Sequence, residues 1–377
     1  MIKLDRMLMI GSAGSNAGKT ELACALLKKF SENHDIVGIK VSTIGDRTGS
    51  SRHGSEDHNV FSSLEVNFCN TEENNRISSK DTSRLLAAGA SRVFWIRALK
   101  QHLFEGITNL LETIGTGSVA ICESNSLRQV VEPGLFLMVI KNDTNTWKSS
   151  ARDVSENVDR IVISDGGSFD LDLERITLAE GKWKLVEKAT AIILAGGDSR
   201  RMGADKSLML VNGRPVIEKT CRQLADCFEQ VIISSNEPDK FEFLGFEVIP
   251  DNIPKQGPLM GIASALEASS NEINFVVACD IPHFKTADVR RILYKAACSD
   301  ADVIVPINCD GKYEPLFAVY RKSALEVIKK VLSSGGRKVS DVFDLCKVKS
   351  VELGASLVNL NTPAEYEEFQ NNIQCRI

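Results

Sequence analysis

The sequence predicts an α/β protein with two domains in series, each built on a mainly parallel sheet. Continuous apolar runs of strand length alternate with helix-like stretches in both halves of the 377 residues, a pattern typical of parallel sheets covered by helices on both faces. The alternation breaks into short charged pieces at residues 178–188 and then restarts. A chain of this length is also expected to form two or three domains. We therefore place the boundary near Glu187, with domains at 1–186 and 187–377.

Composition and charge argue against several classes of protein. Hydrophobic residues make up 43% of the chain and charged residues 25%, as in a globular rather than a disordered protein. The net charge is −5 and neither half has a basic excess, so no nucleic-acid partner is expected. None of the ten cysteines forms a C-x-x-C pair, which argues against a zinc ribbon. Because no signal-like start and no apolar stretch of membrane-spanning length is present, we expect no membrane partner and a cytoplasmic location.

The elements of the first domain follow from its apolar runs. Strands are predicted at 7–10, 37–41, 119–122, 135–140 and 161–163, and helices at 22–30, 83–90, 104–114 and 151–158. Residues 42–82 are polar with weak periodicity and are predicted to be irregular or partly extended.

A glycine-rich loop joins the first strand of this domain to its first helix. Residues 11–20 read Gly-Ser-Ala-Gly-Ser-Asn-Ala-Gly-Lys-Thr. Small residues let backbone N–H groups face a phosphate, a helix N-terminus adds positive potential, a Lys reaches the outer phosphates and a hydroxyl binds Mg²⁺. Ala13 stands where the strict pattern has Gly. The residues predicted to bind phosphate and metal here are Gly14, Gly18, Lys19 and Thr20.

Such a loop needs a carboxylate at the end of a neighbouring strand to hold the metal and its water shell. Glu123 directly follows the apolar run at 119–122, and Asp46 follows the run at 37–41 by a few residues. Glu123 is better placed, because its strand is clearer and ligands lie at the carboxyl ends of parallel strands. The alternative for Glu123 is a loop cap with no role in metal binding.

The first half resembles the P-loop family of molybdopterin-guanine dinucleotide biosynthesis adaptor proteins, the MobB-like group. The resemblance rests on the Gly-Lys-Thr loop, the strand that carries Lys40, the strand-end Glu123 and the segment 147–162. It implies a P-loop NTPase-like fold that binds GTP. Whether the domain hydrolyses the nucleotide stays open.

The second domain repeats the alternation of strands and helices. Strands are predicted at 191–195, 231–233, 246–249, 275–279, 303–307 and 317–320, and helices at 216–224 and 259–268.

A second glycine loop, residues 194–206, directly follows the first of these strands. It reads Leu-Ala-Gly-Gly-Asp-Ser-Arg-Arg-Met-Gly-Ala-Asp-Lys, which is too long and basic for a dinucleotide fingerprint and lacks Gly-Lys-Ser/Thr. Gly196 and Gly197 would let the backbone approach a triphosphate. Arg201 and Lys206 would stabilise the charge that develops on a pyrophosphate leaving group.

A single aspartate ends a later strand of this domain. Asp280 follows the apolar run at 275–279, and Pro282 prevents the strand from continuing. A carboxylate in this place suits Mg²⁺ in nucleotidyl transfer. A turn cap is the alternative for Asp280 taken alone.

The second half resembles the molybdenum cofactor guanylyltransferases, the MobA family, over residues 189–370. The loop at 194–206 is followed in order by Ser-Ser-Asn at 234–236, Pro-Asp at 250–251, Gly-Pro-Leu-Met-Gly at 257–261, Cys-Asp-Ile-Pro at 279–282 and Asn-Leu-Asn-Thr-Pro at 359–363. The resemblance implies a Rossmann-like nucleotidyltransferase fold. It also implies that Leu194, Ala195 and Gly196 present backbone to the base, that Asn236 and Asp251 contact base or ribose, and that Asn359 and Asn361 face the pterin.

The implied reaction transfers GMP from GTP to the molybdopterin phosphate of the molybdenum cofactor and releases pyrophosphate. Partners implied by the resemblance are GTP, the cofactor, molybdoenzyme apo-proteins and their chaperones. A cytidylyltransferase or another NTP-dependent nucleotidyltransferase is the alternative within the same chemistry, and Gly196 favours guanine. A non-catalytic GTP-binding delivery protein is the alternative from another class, against which Arg201, Lys206 and Asp280 argue.

Overall fold

A computed structural model describes residues 1–44, 67–142, 147–196, 206–211, 213–308, 311–353, 357, 365 and 367. The chain divides into two compact units, Met1–Leu185 and Val186–Ile377. No helix in these described ranges is long and apolar enough to cross a membrane.

The first unit is built on a seven-stranded sheet with the order β3-β4-β2-β5-β1-β6-β7. Every neighbouring pair is parallel except β3 and β4. The short strands β8 and β9 form a separate antiparallel hairpin. The strands are β1 (Ile2–Ser12), β2 (Ile36–Ile44), β3 (Phe68–Glu72), β4 (Arg92–Leu99), β5 (Val119–Glu123), β6 (Val131–Lys141), β7 (Arg160–Ser164), β8 (Ile176–Ala179) and β9 (Lys182–Leu185).

Strand β1 is central, and its burial on both faces explains the continuous apolar run in the sequence. Leu8 and Ile10 pack on one face of the sheet, and Met9 packs on the other. Ile10 pairs with Glu123 of β5 on one side and with Leu137 of β6 on the other. The register therefore brings the glycine loop that follows β1 next to the carboxyl end of β5.

Two helices of the first unit are longer than the sequence pattern predicts, and two are shorter. They are α1 (Lys19–Phe30), α2 (Asp81–Ala87), α3 (Leu103–Ile114) and α4 (Ser149–Arg152). The predicted helix at 151–158 is wrong beyond Arg152, where a short 3-10 turn, Ser155–Asn157, takes its place. Ser155 Oγ donates to the carbonyl of Arg152 at 2.9 Å, and this bond from side chain to backbone competes with continuation of the helix.

The prediction that residues 42–82 are irregular or partly extended holds for their described part, except that helix α2 begins at Asp81. Strand β2 extends to Ile44, and β3 is a regular edge strand, although residues 45–66 lie outside the described residues. Strand β3 is only partly buried along most of its length, so its polar sequence lacks the alternation that predicts a strand.

The second unit also has a seven-stranded sheet, with the order β14-β13-β10-β15-β17-β16-β18. Only β17 runs antiparallel to its neighbours, so the prediction of α/β units with mainly parallel sheets is confirmed. The strands of this unit are β10 (Glu187–Leu194), β11 (Leu210–Val211), β12 (Arg214–Pro215), β13 (Phe228–Ser234), β14 (Glu247–Ile249), β15 (Ile273–Ala278), β16 (Val303–Ile307), β17 (Phe317–Arg321) and β18 (Val348–Glu352). Its helices are α5 (Val216–Ala225), α6 (Pro258–Ala268), α7 (Thr286–Ala297) and α8 (Ala324–Ser333).

Each face of this second sheet carries its own hydrophobic core. Ile193 and Phe275 pack against helices α5 and α7 on one face, and Ile192 and Val276 pack against α6 and α8 on the other. Alternate residues of one strand thus enter different cores, so the strands are mostly apolar and the candidate site residues follow their ends.

Candidate functional site

The glycine loop of the first unit contains two residues with left-handed backbone. Asn16 has a φ of 52° and Gly18 a φ of 98°, and only glycine adopts the second value without strain. A Cβ at Gly18 would also lie 3.2 Å from Ser164 Oγ and 3.4 Å from the Phe169 ring. The amide of Leu22 donates to Gly18 O at 3.0 Å, so α1 begins directly after this glycine.

The start of the loop is tied to the segment that follows β5. Asn125 Oδ1 accepts from the amide of Ser12 at 2.8 Å, and Asn125 Nδ2 donates to Ser12 O at 2.9 Å. Ala13, which replaces the Gly of the strict pattern, is fully buried, and its amide donates to Val139 O at 2.9 Å. Sequence reasoning did not assign Asn125 a role, although the residue lies two positions after Glu123.

Thr20 and Glu123 meet as the phosphate-loop pattern requires. Thr20 Oγ1 donates to Glu123 Oε2 at 3.1 Å, and both residues are buried. Burial raises the pKa of the Glu123 carboxyl, and Lys19 offsets part of this effect. Burial likewise lowers the pKa of Lys19, with Glu123 acting in the opposite direction. Lys19, Thr20 and Glu123, which are all predicted to bind phosphate or metal, therefore lie together in a poorly solvated region.

Asp81 is a further acidic residue of this site, and sequence reasoning missed it. It is the first residue of α2 and forms an ion pair with Lys40 of β2. Burial opposes ionisation of Asp81, but the hydrogen bond and positive charge of Lys40 hold the pKa of its carboxyl below the usual value. An aspartate in the first turn of a helix is common, so nothing in the local sequence distinguishes it.

Lys19, Thr20 and Asp81 line a cavity of about 830 Å³, which is large enough for a nucleotide. Cations and hydroxyls from five helices and strands converge there, together with the glycines of the loop. The lining residues include Ser12, Gly14, Gly18, Lys19, Thr20, Lys40, Ser42, Asp81, Arg84, Lys148, Ser164, Gly166 and Phe169.

In the second unit, four strands end in register at one edge of the sheet. Leu194 of β10 pairs with Ser234 of β13 and with Ala278 of β15, and Ser234 pairs with Ile249 of β14. Each predicted site residue stands two positions beyond one of these strand ends. All four therefore lie along the same edge of the sheet, where the carboxyl ends of the strands meet. They are Gly196, Asn236, Asp251 and Asp280.

Two of these residues are joined directly. Asn236 Nδ2 donates to Asp251 Oδ2 at 2.8 Å, and the amide of Asp251 donates to Asn236 Oδ1 at 2.8 Å. The pair is partly open to solvent, and the second carboxylate oxygen of Asp251 faces helix α6. A Cβ added at Gly261 would lie 2.7 Å from Ser234 Oγ, 3.4 Å from Asp251 Oδ1 and 3.5 Å from Leu194 Cδ2. Glycine at this position therefore lets helix α6 approach the strand ends closely.

The backbone around Leu194 and Ala195 is held by its neighbours. The amide of Ala195 donates to Ser234 O at 2.9 Å, and the amide of Cys279 donates to Leu194 O at 3.1 Å. Both residues are buried, whereas Gly196 is exposed. The chain thus leaves the sheet edge at Gly196.

Several predicted residues cannot be placed in this geometry. The side chain of Lys206 and the following residues lie outside the described part of the chain: Asp46, Gly197, Arg201, Asn359 and Asn361.

No group of three or more His, Cys, Asp or Glu side chains suited to a metal ion occurs among the described residues. Magnesium in phosphate sites needs only one or two carboxylates, with waters and substrate phosphates completing its shell. Glu123 and Asp280 are therefore candidates as single carboxylate ligands in their respective units.

The second unit matches a known protein family. Residues 191–348 match the MobA-like NTP transferase domain. A probable molybdenum cofactor guanylyltransferase of Natranaerobius thermophilus is 34% identical over 197 residues, which are 49% of this chain and 96% of that protein. A protein of the same description from Carboxydothermus hydrogenoformans is 35% identical over 193 residues, again 49% of this chain and 96% of the relative. The solved structure of molybdopterin-guanine dinucleotide biosynthesis protein A from Archaeoglobus fulgidus is similar at a TM-score of 0.44 and 24% identity, over 49% of this chain and 99% of its own.

The match covers 96% of the length of each of these two relatives and 49% of this chain. At this level of identity and coverage, the chain belongs to the molybdenum cofactor guanylyltransferase family through its MobA-like domain, and it is a nucleotidyltransferase.

Proposed function

We propose that the second unit transfers GMP from GTP to the molybdopterin phosphate of the molybdenum cofactor and releases pyrophosphate. The observation that carries the proposal is the row of strand ends in register, from which Gly196, Asn236, Asp251 and Asp280 follow at equal spacing. The names of the relatives support guanine as the base and the molybdenum cofactor as the acceptor.

In this reaction an oxygen of the cofactor's phosphate attacks the α-phosphorus of GTP. The bond from that phosphorus to the bridging oxygen breaks, and pyrophosphate leaves with the charge. The acceptor phosphate is already ionised at neutral pH, so no protein base is required. Arg201 and Lys206 would bind the triphosphate and stabilise the leaving group.

Asp280 is the residue that would hold Mg²⁺, which would neutralise charge on the phosphate oxygens. The fit is chemical, since a carboxylate at the end of a parallel strand is a hard oxygen ligand placed beside a phosphate site. Asn236 and Asp251 would contact base or ribose, and Leu194, Ala195 and Gly196 would present backbone to the base. Asn359 and Asn361 would face the pterin.

The proposal is tested by pyrophosphate release from the full chain with molybdenum cofactor and each of GTP, CTP, ATP and UTP. We expect turnover with GTP to exceed that with the other nucleotides, and chelation of Mg²⁺ to abolish it. Preference for CTP would replace the proposal with the cytidylyltransferase alternative. Binding of GTP without turnover of any nucleotide would favour the non-catalytic delivery protein.

A second function is proposed for the first unit, namely the binding of GTP with Mg²⁺ by the loop at residues 13–20. The supporting observation is that Glu123 Oε1 is buried and has no hydrogen-bond partner among the described residues, while Glu123 Oε2 accepts from Thr20. A buried oxygen without a partner is costly, and a metal ion or its water would satisfy it. Molybdoenzyme apo-proteins and their chaperones are the partners that the MobB-like resemblance suggests for this unit.

Tryptophan fluorescence tests this second function in the full chain, because all three tryptophans, Trp95, Trp147 and Trp183, belong to the first unit. Their emission therefore follows the melting of that unit. We expect GTP with Mg²⁺ to raise its melting temperature in the natural protein, since a ligand that binds only the folded state stabilises it. The Lys19→Met variant should lose this shift, and an equal shift in both proteins would refute nucleotide binding by the loop.

A further inference from the structure

A second lysine faces the glycine loop of the first unit from a different part of the chain. Lys148 lies between β6 and α4, is half-buried, and lines the same cavity as Lys19. Its Nζ lies 3.4 Å from Ser12 Oγ, at the start of the loop. No sequence motif assigns this lysine a role in the proposed nucleotide site.

The backbone fixes the position of Lys148. Its amide donates to Ala13 O at 2.9 Å, and its own carbonyl accepts from the amides of Ala151 and Arg152 at 3.0 and 3.1 Å. Asn125, which binds both backbone groups of Ser12, also donates to Ser150 Oγ at 3.3 Å. The loop and the segment that carries Lys148 are therefore one hydrogen-bonded assembly, and the side chain starts from a fixed point.

Within the described part of the chain, no carboxylate forms an ion pair with the ammonium group of Lys148. Asp81 pairs with Lys40, Glu123 accepts from Thr20, and Arg84 pairs with Glu21. Burial and the positive charge of Lys19 lower the pKa of Lys148 to about 8. Among the charged groups of the described residues, Lys19 is the one whose field acts on Lys148.

Two ammonium groups that share one cavity repel each other unless an anion lies between them. Lysine in a loop of this pattern reaches the outer phosphates of a nucleotide. Lys148 lines the same cavity as Lys19, and its Nζ lies at the start of the loop, so the two ammonium groups can contact the same phosphates. A terminal phosphate would then remove the repulsion and supply each ammonium with a charge-assisted hydrogen bond.

We infer that Lys148 is a second phosphate-binding lysine of the first unit, which contacts the outermost phosphate and makes the site select nucleoside triphosphates over diphosphates and monophosphates. This inference rests on the proposed binding of nucleotide by the loop. It assigns the selection to a residue that contacts the start of the loop, whereas α1 follows the end of the loop.

The test measures melting of the first unit in the full chain by tryptophan fluorescence, with Mg²⁺ and increasing GTP, GDP or GMP. The variants are Lys148→Met, Lys148→Arg and, as a matched control, Lys141→Met. Lys141 is an exposed lysine at the end of β6, the strand that precedes Lys148, and it lies outside the cavity lining. Lys148→Met should weaken apparent GTP binding about tenfold or more, the size of a lost hydrogen bond to a charged group. GMP binding should change less than about twofold. Lys148→Arg should retain most of the preference for GTP, and Lys141→Met should behave as the natural protein.

Two results would overturn the inference. If Lys148→Met weakens GTP, GDP and GMP equally, the lysine supports the shape of the loop and does not read the terminal phosphate. If Lys148→Met leaves all three unchanged while Lys19→Met abolishes the GTP shift, the loop binds nucleotide without Lys148. Failure of the underlying proposal gives a different result, in which Lys19→Met shifts as much as the natural protein.

Discussion

Thr20 Oγ1 donates a hydrogen bond of 3.1 Å to Glu123 Oε2, while the other carboxylate oxygen of Glu123 is buried with no partner among the described residues. This contact joins the first turn of α1 to the end of β5 across 103 positions of sequence. It places one hydroxyl and one hard oxygen ligand side by side next to the phosphate loop. The combination suits a magnesium ion bound together with phosphate.

The first prediction concerns Glu123→Gln. We expect it to weaken Mg²⁺-dependent binding of GTP by the first unit about tenfold or more, measured by the tryptophan-monitored melting shift with and without Mg²⁺. The nucleotide-free variant should melt a few degrees higher, because burial makes the ionised carboxylate costly. Glu132→Gln, on the exposed side of β6, is the control. A metal-dependent shift equal to that of the natural protein would show that Glu123 does not serve the metal.

The second prediction is a pH dependence that originates at Lys148. Its pKa is about 8 in the folded protein and 10.5 ordinarily, so below pH 8 the group is protonated in both states and the folded state carries the full cost of the buried charge. As pH rises from 8 towards 10.5, the folded protein loses the proton first and the cost fades. Nucleotide-free Lys148→Met should therefore melt above the natural protein at pH 7, with a difference that shrinks towards pH 10. A difference that is constant over this range would assign the effect to packing.

The third prediction concerns the pair Asn236 and Asp251. Removing the amide by Asn236→Ala breaks both hydrogen bonds that hold Asp251 in place. We expect the KM for GTP in pyrophosphate release to rise about tenfold, the size of one or two lost hydrogen bonds, with a smaller change in kcat. Asp300→Asn, an exposed residue of the same unit, should leave KM unchanged. An unaltered KM in Asn236→Ala would remove the pair from the nucleotide site.

The fourth prediction tests the close approach of α6 to the strand ends. In Gly261→Ala the new Cβ would lie 2.7 Å from Ser234 Oγ, a distance that requires a shift of helix or strand. The gain in helix propensity does not relieve this contact. We expect kcat/KM for GTP to fall about tenfold, and the double variant with Ser234→Ala to recover most of it. If the double variant is no better than Gly261→Ala alone, the steric explanation is wrong.

Local sequence predicts the central strands well and the edges poorly. The runs at β1, β5, β10 and β15 are apolar without interruption because both faces of each strand are buried. Strand β3 is an edge strand whose polar residues fit no simple period.

The candidate site residues divide in a similar way. Glu123 and Asp280 are predictable because each directly follows a strand-length apolar run. Asp81 is not predictable from local sequence, because its partner Lys40 lies 41 positions away. The two residues meet because β4, which follows the helix of Asp81, lies next to β2, which carries Lys40. The same holds for Lys148, which reaches the glycine loop across 136 positions.

The most direct test of nucleotidyl transfer follows the phosphates of GTP. The full chain is incubated with molybdenum cofactor, Mg²⁺ and GTP labelled at either the α- or the γ-phosphate. We expect the α-label to appear on the cofactor and the γ-label in pyrophosphate, and Asp280→Asn to lose both while retaining any release of orthophosphate by the first unit. Release of the γ-label as orthophosphate, with no α-label on the cofactor, would contradict the transfer of GMP by this chain.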